Sequence, residues 1–153
     1  MKNPSRKGDM SEHYTITWLW DNGYEVFTNA GSSGPVDMIA MNKDGEVIKI
    51  EEVNGPKELG LENKKMTKIS VFMNVFDCHV NRSPCAGSIS EIKYMPGKFV
   101  NASLDKASED NERCFYRISN SFSEEVIVVQ IAGLIARRIV SECSKDDQLS
   151  QGT

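Results

Sequence analysis

Apolar residues recur along this chain first at a helical spacing and then at the two-residue spacing of strands. Met10, Tyr14 and Trp18 lie four apart, Ser11 can cap and Asn22-Gly23 can stop, so the spacing predicts a helix over Met10–Asn22. Tyr24–Thr28 alternates like a strand, and Asn29–Pro35, rich in Gly, Ser and Pro, reads as a loop. Val36–Met41 and Glu46–Val53 read as two further strands about a turn at Asn42–Gly45. Together these make an αβββ unit. Asn54-Gly55-Pro56 is turn chemistry, and Leu59–Met66 is charged and irregular.

Beyond that break, strand-like runs return at Lys68–Met73, Ser88–Tyr94, Arg113–Ser119 and Glu125–Ala132. Lys98–Asn111 reads as a polar connection, partly helical. Leu134–Val140 fits strand or helix equally, and Ser144–Thr153, being polar and terminal, is expected to fray.

Composition narrows the class. The chain has 153 residues, 39% apolar and 26% charged, which is a globular mixture long enough for a core. No apolar run reaches the roughly 18 residues of a membrane span. Met1–Asp9 is polar and basic with no apolar stretch behind it, so no secretory signal is expected. A net charge of −4 argues against nucleic-acid binding by bulk charge. Its basic clusters, such as Lys64, Lys65 and Lys68 or Arg137 and Arg138, read as solvated faces. The four cysteines form no CxxC pair, which predicts reduced thiols in a cytosolic compartment. His13 and His79 are the only histidines, so a histidine-rich metal site is excluded.

Two constellations carry candidate chemistry. Glu12 on the helix, Asp37 on the second strand and Glu51 on the third could hold Mg²⁺ and activate a water for phosphodiester cleavage. The stretch from Lys7 to Ile50, centred on Gly34-Pro35-Val36-Asp37-Met38-Ile39-Ala40-Met41, resembles the PD-(D/E)xK nuclease superfamily. That family implies an Asp on one strand and an acidic-x-Lys on the next. Glu51-Glu52-Val53-Asn54 lacks the lysine, so this reading, a metal-dependent nucleic-acid-binding or nuclease module, stands as the alternative.

The second constellation covers about two-thirds of the chain. Its blocks are Asp44-Gly45, then Phe76-Asp77-Cys78-His79-Val80-Asn81-Arg82-Ser83-Pro84, then Met95-Pro96-Gly97-Lys98-Phe99. Asn111-Glu112-Arg113, Val129-Gln130-Ile131-Ala132-Gly133 and Ala136-Arg137-Arg138-Ile139 follow in order. In this succession the chain resembles the phosphatidylserine decarboxylases of the shorter bacterial and archaeal type. The resemblance implies a proenzyme that cleaves itself at a Gly-Ser pair into a β chain and an α chain headed by a pyruvoyl group. That group forms a Schiff base with phosphatidylserine, which loses CO₂ to give phosphatidylethanolamine.

By the same resemblance Asp44 serves self-cleavage and His79 serves proton transfer during decarboxylation. Arg82, Asn111, Glu112 and Arg113 are weaker candidates for substrate binding or processing. No Gly-Ser pair followed by a strand lies near Thr153, so the chain is expected to be inactive alone and to need an α-chain segment. The implied partners are a phospholipid substrate, a membrane surface and a further copy of the chain; nucleic acid enters only under the alternative. The implied location is cytoplasmic, peripheral to the inner membrane.

The expected fold is therefore α+β. Residues 1–43 form a small nuclease-like unit. Residues 44–153 form a strand-rich, mostly antiparallel decarboxylase β-chain region.

Overall fold

The alternation between residues 24 and 72 becomes a single antiparallel sheet in the computed structural model, which describes residues 16–28, 38–43, 47–73, 78–100, 107–120 and 125–153. Strands β1 (Tyr24–Thr28), β2 (Met38–Asn42), β3 (Val47–Asn54) and β4 (Lys65–Phe72) follow one another in a meander. Each pairs antiparallel with the next, Val26 opposite Ala40, Ala40 opposite Ile48 and Ile48 opposite Val71.

A helical stretch over residues 16–21, α1, lies on one face. Its Leu19 is buried with Met38 and Ala40, and Ile16, Tyr24, Val26, Ile48 and Ile50 pack around them. Strand alternation explains the choice of face: Met38 and Ala40 point into this cluster while Ile39 and Met41 remain exposed. Asn22 ends the helix by donating from Nδ2 to the Trp18 carbonyl at 2.8 Å, and Gly23 takes a left-handed φ of 81°.

The sheet has one strand more than the αβββ pattern predicts. After β3 a short 3₁₀ turn, Lys57–Leu59, closes with Gly60 at φ 68°, and Gly55 N donates to Lys64 O at 2.8 Å. Residues 65 and 66, expected to be irregular, thereby begin β4 beside β3, with Asn54 opposite Lys65. Lys65 and Lys68 are exposed charges on a strand whose outer edge is unpaired among the described residues, and such charges suit an edge while obscuring its alternation.

The second sheet has the order β7-β6-β5-β8, from β5 (Gly87–Met95), β6 (Arg113–Ser119), β7 (Glu125–Ile131) and β8 (Gln148–Leu149). Helix α2 is a single turn, Ala107–Asp110. Every strand pairing in this sheet is antiparallel. The molecule is thus strand-rich with little helix.

Central strand β6 is the most buried. Cys114 and Tyr116 cluster with Ile89 of β5, Ile92, Val128, Ile139, Cys143 and Leu149 pack against them, and Ile118 is buried further along β6. Ile89 and Ile118 are among the largest fully buried side chains, each contributing about 2 kcal/mol by burial.

Two expectations change here. Leu134–Val140 is neither strand nor helix but turn and irregular chain. The terminal residues are ordered by backbone pairing: Ile89 N donates to Asp147 O at 3.0 Å, Asp146 N to Ile89 O at 2.8 Å, and Gly152 N to Ser83 O at 2.9 Å. Their polarity suits a surface edge, and the partner strand supplies the bonds that sequence position alone does not show. The chain divides into two compact units, Met1–Asp77 and Cys78–Thr153, while the expected 43/44 boundary falls between β2 and β3.

Candidate active-site region

The junction of β5 and β6 is built around a close backbone approach. A side chain at Gly97 would place its Cβ 2.3 Å from Asn111 C and 2.4 Å from Glu112 N, so only hydrogen fits there. Lys98 N then donates to Asp110 O at 2.8 Å and Glu112 N to Lys98 O at 3.1 Å. This contact seals Asn111 and Glu112 inside, at 1% and 5% exposure.

Both side chains are fully employed. Asn111 Oδ1 accepts from Val100 N at 3.0 Å, and its Nδ2 donates to Val100 O at 2.9 Å and Ala132 O at 2.7 Å. Glu112 Oε2 accepts from the Tyr94 hydroxyl at 2.8 Å and Oε1 from Ile139 N at 2.7 Å. The carboxylate raises the Tyr94 pKa above its usual value, because ionising the phenol would surrender that hydrogen bond beside a negative charge. Buried polar groups satisfied in this way hold chain segments together. Arg113, next in line, opens β6 with its guanidinium 5.6 Å from the Phe115 ring centroid.

His79 and Arg82 lie in the irregular segment before β5, where Cys78, His79, Val80, Asn81 and Arg82 are all exposed. Arg82 donates from Nη1 to Gly152 O at 3.1 Å, beside the Ser83 N to Thr153 O bond of 2.7 Å. The arginine is therefore held against the terminal segment. His79 has no hydrogen bond or ion pair among the described residues and presents its imidazole to solvent.

Asp44, Glu12 and Asp37 lie outside the described residues. Glu51 is on β3, and its environment gives the Mg²⁺ alternative no support. Lys68 and Lys49 reach its carboxylate at 2.8 and 2.9 Å. Burial pushes the Glu51 pKa up, but the hydrogen bonds and charges of Lys68 and Lys49 outweigh it and hold the carboxyl below its usual range. Two ammonium groups already neutralise the oxygens that a cation would need. Among the described residues no three His, Cys, Asp or Glu side chains gather as metal ligands. The nuclease reading consequently finds no support in the site's geometry.

Sequence reasoning missed two features near the junction. One is the outer edge of β5: β8 and its neighbours pair with Gly87–Ile89, and no described strand pairs beyond them. The other is the fastening of the segment from Ala132 to Ile139 by Asn111 and Glu112. The Pro96-Gly97 turn and the adjacent Asn111-Glu112 were its only signals, and their proximity is non-local.

Comparison with known proteins places these features. The sequence profile described as phosphatidylserine decarboxylase matches residues 32–153. A phosphatidylserine decarboxylase proenzyme of Pelagibacter ubique is 75% identical over 109 residues, covering 71% of this chain and 51% of the relative. The proenzyme of Ruegeria pomeroyi is 54% identical over 115 residues, 75% of this chain and 52% of the relative. That of Cereibacter sphaeroides is 50% identical over 115 residues, 75% and 50% of the two chains. The chain thus spans about half the length of the curated relatives it matches. No solved structure matches it significantly.

Proposed function

The chain belongs to the phosphatidylserine decarboxylase family, and from that membership we propose that it supplies the β-chain part of an enzyme converting phosphatidylserine to phosphatidylethanolamine. The observation carrying this reading is the 75% identity to the Pelagibacter proenzyme over 109 residues. Its partners are the phospholipid substrate and the remainder of a proenzyme, including a pyruvoyl-bearing segment. The reaction takes place at a membrane surface. Among the described residues no helix is long and apolar enough to cross a membrane.

The residues present fit a pyruvoyl group in two respects. His79 is exposed and makes no bond among the described residues, so its imidazole is open to a reacting centre brought beside it. Beyond Ile89 no described strand pairs with β5 on the β8 side, and an extended segment can add to a sheet at such an edge. When present, the group would supply an electron-withdrawing carbonyl able to take up the electron pair left behind as CO₂ departs. His79 then delivers the proton that replaces the lost carboxylate, a transfer for which a positioned imidazole is the commonest side chain. Asp44 assists self-cleavage, a role resting on the resemblance around Asp44-Gly45.

Asn111 and Glu112 take the structural alternative within this reading. Their polar atoms are occupied by Val100, Ala132, Ile139 and Tyr94, so they shape the region rather than touch substrate. Arg82 likewise holds the Gly152 carbonyl.

A chimera tests the proposal. The matched 109 residues of the Pelagibacter proenzyme are replaced by those of this chain, and the product is assayed for self-cleavage and for CO₂ release from phosphatidylserine. Both should occur. A folded chimera that processes but releases no CO₂ would overturn the proposed reaction.

A further inference from the structure

The segment between Ala132 and Ile139 holds apolar side chains in water on a fixed frame. Leu134, Ile135 and nearby Val140 are 54%, 67% and 81% exposed. The frame is nevertheless well made. Ala132 N donates to Glu112 O at 2.9 Å, Asn111 Nδ2 to Ala132 O at 2.7 Å, and Ile139 N to Glu112 Oε1 at 2.7 Å. Within it, Arg137 N closes on Gly133 O at 3.0 Å, and Arg137 itself sits at φ 57°, a costly conformation outside glycine. Two buried polar side chains thus fasten both ends of a loop whose middle is apolar and exposed.

The charge on this loop is opposite to that of the whole chain. Arg137 and Arg138 are exposed and make no ion pair among the described residues; Arg137 lies 5.8 Å from the centroid of the Phe99 ring. The chain as a whole carries −4, so a bulk attraction to anions is absent and only a local one remains. Apolar side chains beside paired arginines suit one kind of surface. Hydrocarbon chains receive the leucine and isoleucine, and headgroup phosphates at the boundary receive the guanidiniums.

We propose that the Gly133–Arg138 loop, fastened by Asn111 and Glu112, is a docking element for an anionic phospholipid bilayer, with Leu134 and Ile135 entering the interface and Arg137 and Arg138 on its phosphates. The inference deepens the decarboxylase reading, because it names the surface that brings the chain to its lipid. Its test requires no turnover and so fails or succeeds separately.

The 153-residue chain is mixed with sedimentable vesicles of phosphatidylcholine alone or with about one-third phosphatidylserine, and bound protein is measured at low and high salt. The chain should favour the anionic vesicles, and salt should weaken the preference. Arg137→Gln with Arg138→Gln should lower affinity about 30-fold, near five-fold per arginine. Leu134→Ser with Ile135→Ser should also release the chain from the vesicles.

An Ile135→Trp variant keeps the loop apolar and guards against misfolding artefacts. Brominated lipid should quench its fluorescence beyond the quenching of the parent chain, which already contains Trp18 and Trp20. Failure of the parent chain to bind overturns the proposal, as does binding that survives both double substitutions or an absence of added quenching. A chimera active on short-chain phosphatidylserine in solution, combined with any of these results, would reject the docking loop and leave the reaction standing.

Discussion

Glu112 Oε1 accepts a hydrogen bond from Ile139 N at 2.7 Å, across 27 positions of sequence. The other oxygen of the same carboxylate takes the Tyr94 hydroxyl at 2.8 Å, so one buried side chain joins β5, β6 and the segment after β7. Removing it by Glu112→Ala leaves the Ile139 amide without its acceptor and should cost about 2 kcal/mol or more. Urea unfolding measures this. A change below about 0.5 kcal/mol, the range of ordinary surface substitutions, would show that the bond contributes little.

Gly97→Ala should be more damaging than its single methyl suggests. The new Cβ would meet backbone atoms at 2.3 to 2.6 Å, and backbone cannot swing aside as a flexible side chain can. A loss of about 3 kcal/mol is expected, at the upper end of overpacking costs. An unchanged urea midpoint would contradict the close approach of Gly97 to Asn111 and Glu112.

The Glu51 ion pairs give the first sheet an acid sensitivity. Its pKa is lowered in the folded chain, so at pH values between the folded pKa and the ordinary value near 4.5 the unfolded state binds more protons. Stability is therefore present above the ordinary value and lost as pH falls through the folded one. Lys68→Met removes the strongest of the lowering interactions and should flatten this decline. Urea midpoints compared across that interval for the parent and the variant check it; parallel curves would refute the assignment.

His79→Ala should separate stability from activity. The side chain is exposed and makes no bond among the described residues, so stability should stay within about 0.5 kcal/mol of the parent. In the chimera, CO₂ release by the processed enzyme should fall by about 10²-fold or more if the imidazole moves the proton. Normal turnover would remove His79 from the mechanism.

Hydrogen exchange distinguishes a paired terminus from a frayed one. The amides of Ser83, Ile89, Asp146 and Gly152 all donate to backbone carbonyls at 2.7 to 3.0 Å. They should exchange more slowly than amides of exposed loops. Rapid exchange at Asp146 and Gly152 would restore the expectation of a frayed end.

The amino-acid order by itself determined most of the strands and the family resemblance. Tyr24–Thr28 and Arg113–Ser119 are strands at the limits their alternation predicts, because a side chain's face follows from the two-residue period without reference to distant chain. The ordered blocks from Asp44-Gly45 to Ala136-Arg137-Arg138-Ile139 likewise marked the decarboxylase resemblance before any coordinate was needed. Tertiary structure decided what pairing and burial control. Lys65–Thr67 became strand because β3 lay beside it, and Ser144–Thr153 became ordered because Ser83 and Ile89 met it. Glu51 read only as a candidate metal ligand, and its ion pairs with Lys49 and Lys68 had no signal in the local pattern. Asn111 and Glu112 read as a site or a turn with equal ease, and only the contact of Gly97 with their backbone, together with their bonds to Val100, Ala132 and Ile139, showed that they hold a loop. Those outcomes depend on groups distant in sequence, and local pattern carries no record of which distant groups will meet.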